Sequence, residues 1–326
     1  MKTILVTGGC GFIFSNFIWY MLSKYPDYRI INLDAITYAG RIENTENFKS
    51  NKNYLFIKGD ICNEPLVDRL MQEVDWVVHG AAETHVDRSI EKSFDFIQTN
   101  IVGTRVLLEA AKRHKISRFI FTSTDEVYGA IEQGSFNEES PFRANSPYAA
   151  SKAGADMLAR AYFITYDLPV IIIRPSNNFG FNQHCEKLIP RFIINAFQNK
   201  KVGLFGNGLQ QREWLFVLDC VEAIDLILHK GEIGQAYNIG GGRKNEKTNL
   251  WITKLILKIL NKSEKLIEFI EDRPGHDIRY SLDSSKIQEL DWKSKWPLET
   301  ALKETIQWYI NRPDYWRSLM DDKFVK

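Results

Sequence analysis

The 326-residue sequence predicts an α/β fold: a doubly wound parallel sheet joined to a smaller α/β substrate unit toward the C-terminus. Three observations lead there. Short β-branched runs alternate with segments of helical period through the first half. A glycine turn, Thr7-Gly8-Gly9-Cys10-Gly11, closes the first of those runs. After Asn178 the pattern loosens into shorter strands, more glycine loops and recurring helices.

The elements follow in order. Ile4-Leu5-Val6 makes a strand of Thr3–Thr7, and similar runs make strands of Arg29–Asp34, Tyr54–Lys58, Trp76–His79, Arg118–Ser123 and Val170–Arg174. Runs that are apolar on both faces suit a sheet covered by helices on both sides. The longest helix candidates are Phe94–His114 and Tyr148–Tyr166. Others fall at Lys187–Asn199, Val221–Lys230, Asn249–Asn261 and Leu298–Asn311. The expected division is residues 1–178 for nucleotide binding and catalysis and residues 179–326 mainly for substrate, with an approximate boundary that the chain can cross back.

Bulk properties exclude several classes. Net charge is +1, from 42 basic and 41 acidic residues, which is no nucleic-acid footprint. No apolar run approaches the ~20 residues of a membrane span. The chain enters a strand at once, without the basic and apolar regions of a leader. Cys10, Cys62, Cys185 and Cys220 lie far apart without metal-ligand spacing, so the expectation is a cytoplasmic protein with no metal and no disulfide.

The glycine turn has a Rossmann-type context. A strand leads into Gly8 and Gly11, and a helix follows whose N-terminus can face a pyrophosphate. Asp34 ends the second strand about 20 residues on, where an acid holds ribose hydroxyls. It is followed by Ala35, Ile36 and Thr37, with no arginine to accept a 2′-phosphate, so NAD is expected over NADP. Asp60 and Ile61, after the third strand, would flank the adenine. One position breaks the pattern: Phe14 stands where a third glycine is usual. Gly80 closes the fourth strand, which should neighbour the first. The expectation is an exchange of volume, with the ring of Phe14 filling the space a side chain at residue 80 would take.

Tyr148 and Lys152 are four residues apart, on one helix face. Free tyrosine titrates near ~10, and a neighbouring ammonium lowers that value, so the pair can act as a base. The run Thr122-Ser123-Thr124-Asp125-Glu126-Val127-Tyr128-Gly129 leaves a strand at its C-terminal end, where open α/β sheets bind ligands. Two readings fit Asp125 and Glu126: an acid and a base with pKa values pushed apart, or a helix cap followed by a solvated acid.

At these residues the chain resembles the extended short-chain dehydrogenase/reductases, and more narrowly the dTDP-glucose 4,6-dehydratases among them. The similarity runs nearly end to end. It is carried by TGGCGFIFSN, LDAITYAG, AAETHVDRSI, TNIVGT, STDEVYG, SPYAASKA, SNNFG with EKLIP, FGNGLQQREWLFV, YNIGGG with NEKTN, and RPGHDIRYSLD. The resemblance implies a dehydration by internal redox on a bound nucleotide-sugar. Tyr148, helped by Thr124 and Lys152, takes the 4-hydroxyl proton while tightly bound NAD takes the hydride. Glu126 removes the proton at carbon 5, Asp125 protonates the departing 6-hydroxyl, and the hydride returns to carbon 6.

It also implies cofactor contacts at Phe12, Ile13, Ala81, Ala82, Glu83, Thr99 and Asn178, besides the residues above. Substrate contacts are implied at Thr84, His85, Asn177, Lys187, Leu188, Phe205, Arg212, Asn249, Arg273, His276 and Asp277. Arginines 212 and 273 suit a diphosphate and Phe205 a pyrimidine ring. Members pair as homodimers through two long helices. Two other readings stand beside this one: a UDP-glucose 4,6-dehydratase with the same chemistry, and a non-catalytic NAD-binding sensor. The complete set Thr124, Asp125, Glu126, Tyr148 and Lys152 speaks against the sensor.

Overall fold

A computed structural model describes residues 2–272 and 275–320. Its strands in chain order are β1 (Thr3–Thr7), β2 (Arg29–Asp34), β3 (Tyr54–Lys58), β4 (Trp76–His79), β5 (Arg118–Thr122), β6 (Val170–Pro175), β7 (Asn177–Phe179), β8 (Val202–Phe205), β9 (Gln211–Phe216), β10 (Ala236–Ile239), β11 (Glu246–Thr248) and β12 (Ile267–Ile270). Seven of them form one sheet in the order β10-β6-β5-β4-β1-β2-β3, with every neighbour parallel. Ile4, Leu5 and Val6 of the central β1 are fully buried, as its apolar sequence requires of a strand covered on both faces.

The order reverses at β1, whose neighbours are β2 and β4 in the registers Thr7↔Leu33 and Thr7↔His79. Loops leaving β1 and β4 therefore diverge and open a crevice at their C-terminal ends. The first helix, Phe12–Lys24, starts there at Gly11. Two smaller sheets, β11-β9-β7 and β12-β8, lie in the later part of the chain. The last strand of the large sheet, β10, comes from beyond residue 178, and the helix Val217–Lys230 packs on Phe12–Lys24, so the chain returns to the first layer.

Element ends differ from expectation by a residue or two, as helix ends commonly do. The helix Val217–Lys230 differs more, because Phe216 passes straight from strand to helix with no turn to mark the boundary. The expected single helix over Phe94–His114 is three pieces: Ser93–Phe96, a π-helical Ile97–Gly103, and Thr104–Arg113. A change to i→i+5 hydrogen bonding has no residue signature of its own, so the sequence does not show it.

The two glycines of the crevice do different work. Gly8 has φ +74°, and a Cβ there would lie 2.7 Å from the Ala81 amide nitrogen, so both conformation and space demand glycine. Gly80 is outside the left-handed region, and its demand is purely one of space. A Cβ on it would lie 2.0 Å from Cε2 of Phe14. Phe14 is buried and meets Phe17 edge-on at 6.0 Å. The exchange of volume expected from the sequence is present.

Candidate active site

The crevice is a cleft of about 320 Å³. Its walls bring together Gly8, Gly11, Phe12, Ile13, Asp34, Ala35, Thr37, Asp60, Ile61, Ala81, Ala82, Glu83 and Thr99 from the nucleotide side. Thr84, Thr124, Asp125, Glu126, Tyr148, Lys152, Asn177, Asn178 and Lys187 line its other side. Ile36 is apart from the lining: it adopts φ 54°, and its amide donates to Oδ1 of Asp34 at 2.8 Å. The other carboxylate oxygen of Asp34 accepts the Cys10 amide at 2.9 Å, which ties the end of β2 to the glycine turn. Asn32, which sequence reasoning passed over, accepts the Gly9 amide at 3.0 Å.

A buried relay supports the turn from behind. The Thr104 hydroxyl donates to the Asn100 carbonyl (2.6 Å), so Nε2 of His79 donates to Thr104 (2.9 Å) and Nδ1 accepts the Thr7 hydroxyl (2.7 Å). Thr7 in turn accepts the amides of Gly80 and Ala81 at 3.2 Å each. Burial, with the Lys152 charge nearby, pushes His79 down to about 3, so it stays neutral and serves as a strut. The π-helical segment presents Asn100 to the amide and carbonyl of Glu83 and to the Ser151 hydroxyl of the next helix. His79 and Asn100 left no sequence signal beyond being polar residues in apolar runs.

The helix Pro147–Tyr166 begins with a Ser146 cap on the Ala149 amide and proline in its first turn, a standard start. It carries Tyr148 and Lys152, both buried. The Lys152 ammonium donates to the Thr122 carbonyl at 2.5 Å, and burial pushes its pKa down to about 8 against the opposing pull of Asp156. The Tyr148 phenol is pushed up, first by burial and then by the Glu126 carboxylate, while a hydrogen bond with Thr124 pulls the other way.

Thr124 caps the short 3-10 helix Asp125–Tyr128 by accepting the Glu126 amide at 3.3 Å. Its hydroxyl donates to Oδ1 of Asp125 at 3.2 Å, and Oδ2 has no partner among the described residues. Burial raises the Asp125 pKa well above the carboxylate range, and Glu126 and Glu213 add to it. A buried carboxyl with a raised pKa beside a second acid is not the arrangement of a solvated cap.

Of the remaining predicted residues, Thr84 and Lys187 line the cleft, whereas His85, Leu188, Phe205, Arg212, Asn249, His276 and Asp277 are not part of its lining. Lys187 reaches back to the Thr84 carbonyl (2.9 Å), and Leu188 opens the helix Leu188–Phe197. His85 caps the helix Val86–Glu91 and faces Glu186 at 3.8 Å. Arg212, on β9, is buried over the Tyr280 ring at 4.3 Å, and one of its amino groups donates to the Asp277 carbonyl at 3.0 Å. Phe205 meets His276 edge-on at 5.9 Å, and Asp277 accepts Asn145 at 2.6 Å. Asn249 begins the helix Asn249–Ile259 with a buried Oδ1 that has no partner among the described residues. Arg273 lies outside the described residues. Arg212 and Tyr280 are within electrostatic reach of the acids: Arg212 pulls the Asp125 pKa down against burial, and Glu126 adds to the rise at Tyr280. No metal-binding cluster and no helix long and apolar enough to cross a membrane occurs among the described residues.

Comparison with known proteins agrees with this architecture. The low-salt glycan biosynthesis protein of Haloferax volcanii is 46% identical over 94% of this chain and 98% of its own length. The dTDP-glucose 4,6-dehydratase of Streptomyces niveus is 45% identical over 97% of this chain and 95% of its own. The crystal structure of the dTDP-glucose 4,6-dehydratase of Streptomyces venezuelae, with NAD and TYD bound, superposes with a TM-score of 0.95. It is 43% identical and covers 98% of this chain and 100% of that one. The family model described as GDP-mannose 4,6 dehydratase matches residues 5–305, and to that family the chain belongs.

Proposed function

We propose that the protein is a dTDP-glucose 4,6-dehydratase that keeps NAD bound and converts its substrate to a 4-keto-6-deoxy sugar. The observation that carries the reading is the meeting of Thr124, Asp125, Glu126 and Tyr148 in one cleft with the glycine turn. The cofactor fits the residues present. Gly8 leaves no room for a side chain, Gly11 opens a helix N-terminus, Asp34 sits where ribose hydroxyls are held, and Asn178 keeps a buried oxygen unpartnered among the described residues. NAD supplies the hydride acceptor at carbon 4 and the donor at carbon 6. In its ionised form, with Lys152 offsetting the phenolate charge, Tyr148 accepts the 4-hydroxyl proton, and the Thr124 hydroxyl orients the oxygen. Once the 4-keto group acidifies the neighbouring C–H, Glu126 takes the carbon-5 proton. Asp125, whose pKa burial raises, delivers a proton to the departing 6-hydroxyl.

The residues up to 178 supply the cofactor and most of the catalytic wall, and those from 179 onward mainly the sugar-nucleotide wall. A homodimer is part of the proposal, supported by Phe94, Met157 and Ile164, which are 70%, 63% and 60% exposed on the two helical segments expected to pair. The four unpaired cysteines suit the reducing cytoplasm.

The test is incubation of purified protein with dTDP-glucose and, separately, UDP-glucose, following the alkali-induced absorbance of a 4-keto sugar. Product from dTDP-glucose is expected, and faster turnover of UDP-glucose would overturn the choice of nucleotide. Glu126→Gln should lower turnover by ~10²–10⁴-fold while enzyme-bound NADH accumulates, because only the second proton transfer is removed. Loss of NADH formation as deep as in Tyr148→Phe would contradict this division of roles.

A further inference from the structure

Behind the catalytic helix lies a buried ion pair that the reaction as written does not use. Asp156, one turn beyond Lys152 on the helix Pro147–Tyr166, is held by Arg174 of β6 through two bonds, Nε to Oδ2 at 2.9 Å and Nη2 to Oδ1 at 3.0 Å. Both residues are almost fully buried. The other amino group of Arg174 donates to the Tyr128 hydroxyl (2.7 Å) and the Glu138 carbonyl (2.9 Å), and the guanidinium lies over the Phe142 ring at 4.8 Å. The arginine is thus pinned on every side.

Residues four apart on a helix are within reach of one another, so an unclaimed Asp156 carboxylate would draw the Lys152 ammonium. We propose that Arg174 is a positioning residue for the reaction: by taking both oxygens of Asp156 it keeps that carboxylate from pairing with Lys152. The ammonium is left on the Thr122 carbonyl, beside Tyr148. The inference rests on the proposed function only in taking Lys152 as part of the working site. The titratable and charged groups around the ammonium are His79 on β4, Tyr148 and Asp156 on its own helix, and Arg174 on β6 behind Asp156. Asp125 and Glu126 stand across from Tyr148.

A buried charge one turn away shifts a neighbour's titration by about one unit or more. The alkaline limb of kcat/KM, where Lys152 loses its proton, therefore reports the arrangement. Asp156→Asn removes the anion and should move that limb down by about one pH unit. Arg174→Gln leaves the anion uncompensated and should move it up by a similar amount. The double variant should return close to the parent value. Arg174→Lys, which keeps the charge and loses the two-point grip, is the variant expected to stay folded if Arg174→Gln does not, and its limb should move up by less. A merely structural role would lower kcat in all of them without moving the limb in opposite directions. Limbs that stay put, or that all shift the same way, would overturn the proposal. Carbon-13 NMR titration of the labelled Lys152 Cε in the same holoprotein variants should give the same order. That readout also holds if the parent fails to convert dTDP-glucose, which would refute the function and leave the positioning role to be decided by the NMR shifts alone.

Discussion

Asp125 and Asp225 are each 3% exposed, yet their acidities move in opposite directions. Asp125 faces the cleft, has a single hydroxyl bond, and is pushed up by burial and then by Glu126 and Glu213. Asp225 lies on the helix Val217–Lys230, among the groups of Tyr20–Tyr28. It accepts Lys24 at 2.7 Å, Tyr25 at 3.2 Å and Tyr20 at 3.4 Å, and lies 3.0 Å from Nδ1 of His229. Its pKa is pushed down: burial opposes ionisation, but His229 and Lys24 outweigh it. Burial alone therefore does not decide whether a carboxyl holds its proton. The sign of its neighbours does, and the protein spends that difference on catalysis at one end of the sheet and on cohesion at the other.

The sharpest break of this contrast is Asp125→Asn. Turnover of dTDP-glucose should fall by ~10²–10⁴-fold, the usual size of a general-acid contribution. Stability should move the other way. A carboxyl whose folded pKa is raised costs stability above its unfolded value of about 4, since the unfolded chain ionises and the folded one does not. An amide has no such cost, so the melting temperature at pH 7 should rise. A fall in Tm would show that Asp125 is held by contacts like those of Asp225.

Packing close to the cleft provides an uncharged reference for both acids. Phe14→Ala should cost about 3–5 kcal/mol through the cavity it leaves, and Gly80→Leu about 1–3 kcal/mol through crowding of the ring. Combining Phe14→Ala with Gly80→Leu should recover much of both losses in chemical denaturation. Additive losses in that cycle would refute the exchange of volume.

Next in size is Asp225→Asn, which leaves a half-exposed Lys24 and a partly buried His229 without their anion. The expected loss is about 1–3 kcal/mol at neutral pH, smaller than for a fully buried pair because Lys24 can turn to water. Since the folded pKa is depressed, that contribution is present above about 4 and lost as pH falls through the folded value. Urea midpoints that differ equally at pH 3 and pH 7 would contradict the linkage.

The smallest effect belongs to His229, which stacks on Tyr25 at 4.9 Å and whose pKa Asp225 raises against the opposing effect of burial. A histidine raised in the folded state contributes fully below its unfolded value of about 6.5, and the contribution fades as pH rises through the folded value. His229→Gln should therefore cost up to about 1 kcal/mol at pH 5.5 and less at pH 9. A cost independent of pH would assign the residue to ring packing alone.

Much of the cleft was legible from sequence because its parts are local. Gly8 and Gly11 follow an apolar strand at once, and helical period alone puts Lys152 one turn after Tyr148. Asp34 marks the end of β2 by its place after an apolar run. The Phe14 and Gly80 pair was also within reach, since both are departures at positions that adjacent strands bring together. What stayed hidden depended on residues distant in sequence. The π-helical segment changes backbone hydrogen bonding with no residue signature of its own, so Asn100 gave no warning of its bonds to Glu83 and Ser151. Arg212 and Tyr280 reach the acids only because β9 and the loop after β12 are folded over them.

By itself, then, the sequence determined the parallel sheet, the nucleotide turn and the one-turn spacing of Tyr148 and Lys152, because those depend on period, on spacing and on what glycine alone permits. Tertiary structure decided the surroundings of the ionisable groups. The lysine one turn from Tyr148 favours a lowered phenol, yet in the folded protein burial, and then the Glu126 carboxylate, push it up. Asp125 is likewise pushed up and Asp225 down, by the groups that packing brings to each. An ionisable group responds to the charges and water within a few ångströms of it, and those are set by how distant segments pack.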